Sequence, residues 1–251
     1  MLCLVYNKSF EGFLTAVFEA YERKESVYIR KSGIESRGLF TEIKEVITYE
    51  VHAERVLKKI DALLGTTGVR RLWKAFLSED PEIEDAMLGV IAYSIKTNSD
   101  IFSDFGNSHV LKIHQVVKSV DREKHRMEAF IRFKLTTDKI YYAVVEPDFN
   151  VLPLIKTHFE NRYADQHWLI YDVKRNYGLY YDQETTEIVT METTGGASLK
   201  NPGTSLLDDS EDLYQNLWKS YFQSTNIKSR KNMKLHLRHV PKRYWKYLTE
   251  K

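Results

Sequence analysis

A histidine and an arginine four residues apart, His158 and Arg162, are the side chains whose spacing best suits chemistry. On a helix this spacing places both on one side, and Glu146, Asp148 and Asp172 follow or precede neighbouring predicted strands. A histidine near carboxylates can act as a general acid or base or bind a metal, and an arginine can bind phosphate through two hydrogen bonds. We predict a catalytic group with no metal or cofactor, formed by His158, Arg162, Asp148 and Asp172. The alternative is a polar network that joins helix to sheet, because buried polar groups need partners.

The C-terminal residues suggest a second kind of site. Residues 228–251 carry nine Lys or Arg and one acid, in a chain whose formal net charge is only +2. A cationic end on a net acidic remainder predicts a polyanionic partner, and aromatic residues among the cations favour nucleic acid, because every base offers a face for stacking. The predicted contacts are Arg230, Lys231, Lys234, Arg238, Lys242, Arg243, Tyr244, Trp245 and Lys246. Two alternatives stay open: the Tyr-Trp pair packs on the core, or the tail binds an acidic protein surface.

A third candidate is one face of a predicted sheet. If Ile131 and Phe133 face a helix, alternation along the strand turns Phe130, Arg132 and Lys134 to the opposite face. Tyrosines could share that outer face from the other strands, at positions 142, 171 and 180. Sheets that present aromatic and cationic side chains bind single strands by stacking, so Arg132 and Lys134 are predicted nucleic-acid contacts. The alternative is that the helical first half covers this face and makes a second core layer.

The hydrophobic periodicity predicts an α+β protein. A buried strand over residues 2–6 precedes a helix that Ser9 caps, a strand is expected over 44–50, and a further helix ends at Gly65. Helices are then expected over 69–77, 82–96 and 107–121. An antiparallel ββαββ sheet unit follows, with strands at 129–135, 140–146, 168–173 and 177–181 around a helix that Asn150 caps. We predict one domain over residues 1–251, comprising a mostly helical half (1–122), the ββαββ unit (123–189), a surface loop (190–209) and a helix with the basic tail (210–251).

The composition excludes several classes of protein. A single cysteine, Cys3, rules out an internal disulfide and any multi-cysteine zinc or iron–sulfur site, and its apolar neighbours predict that it is buried. No apolar run approaches the ~20 residues of a membrane span, and the N-terminus does not resemble a secretory signal, so we expect a cytoplasmic protein that does not bind membranes. The sequence also lacks a P-loop, a GxGxxG after a strand, HExxH and GxSxG.

Two long blocks of the sequence resemble a known family. They read EPDFNVLPLIKTHFENRYADQHWLIYDVKRNYGLYYD at 146–182 and LWKSYFQSTNIKSRKNMKLHLRHVPKRYWKYLTE at 217–250, with supporting segments HRMEAFIRF at 125–133 and YNKSFEGFLTAVFEAY at 6–21. These segments resemble a bacterial family assigned to DNA metabolism that contains the domain of unknown function DUF4130. The resemblance implies a role in DNA repair or modification beside a radical S-adenosylmethionine (radical SAM) protein encoded nearby. A related domain is joined to a uracil-DNA glycosylase-like domain in other bacteria. The resemblance does not assign a catalytic role to any residue of this chain.

Three functions follow from these observations. The first is a nucleic-acid-binding accessory protein, acting on DNA with the radical SAM partner, since this chain lacks the cysteines for a cluster of its own. The second is an enzyme that acts on nucleic acid or a nucleotide through His158, Arg162 and a nearby carboxylate. The third is a protein-interaction scaffold whose basic tail docks on a partner.

Overall fold

The chain folds into two compact units, residues 1–121 and 122–251. The computed structural model describes residues 2–23, 27–33, 42–190, 207–208, 210–225, 237 and 240–249. Both helices and sheets are present in it, as the α+β prediction requires, and each unit has its own sheet. The boundary between the units falls within one long helix.

A three-stranded parallel sheet forms the centre of the first unit. Strand β1 (Leu2–Tyr6) lies between β2 (Val27–Lys31) and β3 (Glu42–Glu45) and runs parallel to both. Every residue of β1 is buried, because a central parallel strand is covered on both faces. The predicted burial of Cys3 is confirmed. Helix α1 (Phe10–Glu22) begins as predicted at Ser9, whose Oγ accepts a hydrogen bond from the Gly12 amide at 2.9 Å.

Two further helices pack in the first unit, and the predicted break at Gly65 is confirmed. Helix α2 (Glu50–Phe76) is interrupted there, because Gly65 has φ 65° and ψ 172°, a conformation that is essentially restricted to glycine. The helix resumes immediately after this residue. Helix α3 (Ile83–Thr97) follows, and the chain then enters helix α4 (Ser108–Phe130).

Helix α4 continues nine residues past the predicted end at Asp121. Its buried stripe runs through Val110, Ile113 and Val120 to Met127. Glu123 occupies the position between Val120 and Met127 on this stripe, and its carboxylate is buried. This charge interrupts the apolar pattern, so the sequence did not indicate that the helix continues. The predicted strand at 129–135 is therefore wrong over most of its length, and only β4 (Lys134–Leu135) remains.

The second unit contains a five-stranded mixed sheet. The strands β5 (Tyr141–Val145), β6 (Trp168–Asp172), β7 (Tyr177–Tyr181) and β8 (Thr186–Val189) complete it, in the order β4-β5-β6-β7-β8. The wholly antiparallel arrangement that we expected is not confirmed. Strands β5 and β6 pair in parallel, and the other pairs are antiparallel. The cause is helix α5 (Leu152–Arg162), which carries the chain back along the sheet between the two strands, as in a βαβ unit.

The start of α5 also differs from the prediction. The residue that caps it is Val151, which offers no side-chain acceptor. Asn150 instead accepts a hydrogen bond from the Tyr177 hydroxyl through its Oδ1 atom. Pro153 lies in the first turn, as expected, where no intrahelical partner for its nitrogen is needed.

The C-terminal part of the second unit contains helix α6 (Glu211–Thr225) and a short 3-10 helix (Lys242–Tyr247). Leu213 and Leu217 were expected on the buried side of α6, but their side chains are 60% and 56% exposed. The buried residue at the start of this helix is Glu211. Most of the predicted loop at 190–209 lies outside the described residues.

Candidate functional site

A groove of about 1140 Å³ opens in the second unit between the end of α4, helix α5, strand β4 and helix α6. Six aromatic side chains line it: Phe133, Tyr141, Phe159, Tyr163, Trp168 and Tyr214. Two arginines, Arg132 and Arg162, and one histidine, His158, also line it. The acids of the lining are Glu128 and Glu211. We call this cavity the aromatic groove.

His158 and Arg162 both line the aromatic groove, as their i,i+4 spacing predicts. The His158 side chain is about one-third exposed, and its Nδ1 lies 4.0 Å from Glu128 Oε1. Glu128 also pairs with Lys124 at 2.8 Å. The carboxylate beside His158 is therefore Glu128, which lies on the preceding long helix.

Arg162 is the groove cation that is best placed for an external anion. Its Nε lies 3.4 Å from the Tyr163 hydroxyl, and its guanidinium lies 5.7 Å from the centre of the Tyr163 ring. Within the described part of the chain, no carboxylate pairs with it. Because an arginine that is already paired has little to offer a phosphate, this free guanidinium is a feature expected of an anion contact.

The aromatic side chains of the groove form a packed cluster. The Phe159 ring stacks on Tyr163 with centroids 6.0 Å apart, and Phe133 meets both rings edge-on. Trp168 packs edge-on against Phe159 and is fully buried. Among the described residues, its indole Nε1 has no hydrogen-bond partner, although a buried donor without one costs about 1–3 kcal/mol.

The two predicted catalytic aspartates lie apart from His158 and Arg162, and neither lines the aromatic groove. Asp172 is completely buried at the end of β6. Its carboxylate accepts from Arg175 at 2.7 Å and from the amides of Lys174 and Arg175 at 2.9 and 3.3 Å. Burial raises the pKa of Asp172, and the Arg175 guanidinium opposes that rise. The carboxylate orders the turn between β6 and β7, which is a structural task.

Asp148 belongs to a network centred on Glu123. Glu123 is 1% exposed. It accepts a hydrogen bond from the Asp148 amide at 3.0 Å through Oε1, and from Arg243 at 2.6 Å through Oε2. The Tyr244 hydroxyl donates to the same Oε2, and the Asp148 carboxylate pairs with the other end of Arg243. Sequence reasoning missed Glu123, although a single acid within the apolar stripe of α4 was a signal for it.

Residues 240–249, the longest described stretch of the basic tail, are held on the second unit by this network. We call these residues the C-terminal segment. Its Lys246 pairs with Glu146, and the Tyr247 hydroxyl donates to the same carboxylate at 2.8 Å. The tail cations Arg243 and Lys246 are thus matched with acids of the same unit.

The predicted nucleic-acid contacts of the basic tail therefore differ in how exposed they are. Tyr244 is 2% exposed, so its ring cannot stack on a base in this arrangement. Trp245 is half-buried and donates to the Val240 carbonyl at 3.1 Å, whereas Lys242 is exposed. The remaining predicted contacts lie outside the described residues: Arg230, Lys231, Lys234 and Arg238.

A smaller pocket adjoins the aromatic groove. It has a volume of about 100 Å³ and shares Arg132, Gln215 and Thr249 with the groove. Two more cations line this basic pocket, Lys134 and Lys246. The guanidinium of Arg132 donates to the carbonyls of Ala129 and Ile131 at 2.8 and 3.2 Å. The predicted contacts Arg132 and Lys134 are therefore next to each other at the junction of the two cavities.

The tyrosines that we predicted on one sheet face do share it. The strand register pairs Lys134 with Tyr142, and Leu169 of β6 lies between Tyr142 and Tyr180. Tyr142 and Tyr171 are, however, 8% and 1% exposed. Burial, with a contribution from Tyr171, raises the pKa of Tyr142 to about 12. Because both tyrosines are buried, neither can act as a stacking platform for bases in this arrangement.

The described residues contain no group of three His, Cys, Asp or Glu side chains arranged to hold a metal ion. None of the described helices combines the length and apolar character that crossing a bilayer requires.

Comparison with known proteins places the chain in a family. A search of curated proteins found no match. The sequence profile of a domain of unknown function, DUF4130, matches residues 81–250, which is more than half of the chain and includes both cavities. The chain belongs to the DUF4130 family.

Proposed function

We propose that the protein binds nucleic acid and serves as an accessory protein in DNA repair or modification, together with a radical SAM enzyme. The observation that carries the binding role is the aromatic groove, where Arg162 has no carboxylate partner in the described chain and lies against the half-buried ring of Tyr163. The assignment to DNA and the radical SAM partner rest on the resemblance in residues 146–182 and 217–250.

Cations and aromatic rings together favour a nucleic acid over other polyanions. Arginine and lysine bind phosphates with an affinity that falls with salt, and aromatic side chains add stacking that is independent of base sequence. The acids of the groove are already occupied: Glu211 accepts from the Leu135 amide at 2.9 Å, and Glu128 pairs with Lys124. Because Lys124 neutralises Glu128, the groove offers a ligand two arginines, Arg132 and Arg162, against one remaining charged acid, Glu211.

An accessory role is favoured over an enzymatic one by the placement of the carboxylates. The carboxylates of Asp148 and Asp172 pair with arginines elsewhere in the second unit. Among the described residues, the acid beside His158 is Glu128, at 4.0 Å. An enzyme that used His158 would have to use Glu128 in their place. The scaffold alternative is less favoured at Arg243 and Lys246, because these two tail cations are paired with acids of their own unit.

Binding across a salt series tests the proposal. Replacing Arg162 with Gln should lower the affinity for a single-stranded DNA oligonucleotide and reduce the slope of log K against log salt by about 0.7, the value for one phosphate contact on a single strand. Arg70→Gln is the matched control, because Arg70 is exposed and lies outside the family match. The slope of this control should equal that of the parent protein. The proposal fails if the parent protein shows no salt-dependent binding, or if the two variants have the same slope.

A further inference from the structure

The aromatic groove and the basic pocket are neighbours. They share the side chains of Arg132, Gln215 and Thr249, and their volumes differ by a factor of about ten. Six aromatic side chains are part of the lining of the aromatic groove, and three cations are part of the lining of the basic pocket. A ligand with a flat apolar part joined to a small anionic part would match both linings.

The basic pocket offers the positive charge that a phosphate needs. Its volume is about 100 Å³, about a tenth of the volume of the groove. Lys134 forms no ion pair among the described residues, and Arg132 lies beside it at the junction of the cavities. Lys246 completes the cationic lining, although Glu146 neutralises part of its charge.

The aromatic groove has the features of a base site. Tyr214 is 59% exposed at its rim, and Tyr163 is half-buried within it. Trp168 packs against Phe159 behind this surface and is fully buried. An unpaired base supplies a face for stacking and acceptors on its edge, whereas a base that is stacked and paired within a duplex cannot enter a groove of this kind.

We infer that the two cavities together hold one unstacked nucleotide, with its base in the aromatic groove and its phosphate between Arg132, Lys134 and Lys246. This inference rests on the proposed nucleic-acid binding and adds a substrate class to it: a nucleotide in a single strand or one displaced from a duplex. The protein then recognises the absence of base pairing, independently of sequence.

Three DNA probes separate the base from the phosphate. The first is a duplex with one bulged thymidine, the second has an abasic residue in the bulge, and the third is the fully paired duplex. Fluorescence anisotropy with the full chain should give about tenfold tighter binding to the thymidine bulge than to the abasic bulge, because stacking contributes about one such factor per base. The fully paired duplex should bind no more tightly than the abasic bulge.

Matched variants assign this preference to the two cavities. Tyr214→Leu keeps an exposed helix position apolar and should abolish the preference for thymidine over the abasic bulge. Tyr21→Leu makes the same change at a tyrosine that is 46% exposed in the first unit and should preserve it. Lys134→Gln should weaken binding to both bulges by an equal factor, whereas Lys118→Gln, at an exposed lysine of the first unit, should change neither.

The outcomes distinguish this inference from the proposed function. If no probe binds, the nucleic-acid function itself is wrong. If all three probes bind equally well, DNA binding stands and the unstacked nucleotide is ruled out. If Tyr214→Leu still prefers the thymidine bulge to the abasic bulge, as Tyr21→Leu is expected to do, the base does not bind in the aromatic groove.

Discussion

At the scale of single residues, Glu123 is the side chain that most influences the second unit. A buried carboxylate is tolerated only when its oxygens are fully hydrogen-bonded, since removing the charge from water costs several kcal/mol. Glu123 meets this requirement with the Asp148 amide, Arg243 and the Tyr244 hydroxyl. These partners are about 25 and 120 residues away in sequence. The carboxylate therefore fixes both the turn after β5 and the C-terminal segment.

Replacing Tyr244 with Phe tests this network. The change removes a hydrogen bond to a charged group and should lower the free energy of unfolding by about 2 kcal/mol. Tyr214→Phe is the matched control, because Tyr214 is 59% exposed, and it should change stability by less than ~0.5 kcal/mol. Urea unfolding at neutral pH measures both. Equal stability of the two variants would contradict the role of Tyr244.

The same hydroxyl predicts a dependence on pH. Burial and the Glu123 carboxylate raise the pKa of Tyr244 above its ordinary value, which is about 10 in an unfolded chain. Its contribution is therefore fully present below about pH 10 and is lost as the pH rises towards the folded-state pKa, because the unfolded chain then loses the proton first. The difference in stability between the parent protein and Tyr244→Phe should shrink above about pH 10. A constant difference from pH 8 to pH 11 would count against this linkage.

At the scale of elements, the pairing of β6 with β7 depends on a glycine. A Cβ atom on Gly178 would lie 2.8 Å from the Ile170 carbonyl oxygen and 3.0 Å from the Tyr171 ring. The first contact is with backbone and cannot be relieved by a rotamer change. Gly178→Ala should therefore lower the unfolding free energy by about 1–3 kcal/mol, as overpacking does.

Gly106→Ala is the control for this prediction. The nearest atom to a Cβ there is Asp104 Oδ1, a side-chain atom at 3.2 Å on an exposed turn, and it can move aside. Thermal unfolding of the two variants should show a clear loss of stability for Gly178→Ala alone. A Gly178→Ala protein as stable as the Gly106→Ala protein would mean that β6 and β7 separate more easily than their packing indicates.

The elements show where sequence patterns were sufficient. Apolar runs predicted β1, β6 and β7, and capping chemistry predicted the start of α1 at Ser9. The end of α4 was misplaced because Glu123 interrupts the stripe with a charge whose partners are distant. The strands β2 and β8 were missed since short half-exposed strands carry little periodicity. The parallel pairing of β5 with β6 depends on which strands become neighbours, and local periodicity does not determine that.

At the scale of the whole molecule, the excess of positive charge near the C-terminus does not by itself indicate a free basic arm. The described C-terminal segment is folded: Arg243 pairs with Glu123 and Asp148, and Lys246 pairs with Glu146. The helical spacing of His158 and Arg162 correctly placed them on one surface. The sequence could not show that their neighbours include aromatic side chains from β5, β6 and α6, because those contacts join segments far apart in the chain.

Photo-cross-linking tests the central claim, which is that the aromatic groove binds nucleic acid. A single-stranded oligonucleotide with 5-bromouracil is irradiated with the full chain, and the modified residues are located by mass spectrometry. Our account predicts cross-links at groove residues, first at the accessible rings of Phe133, Tyr163 and Tyr214. Cross-links confined to residues 1–121, or spread over both units in proportion to exposed aromatic area, would contradict it.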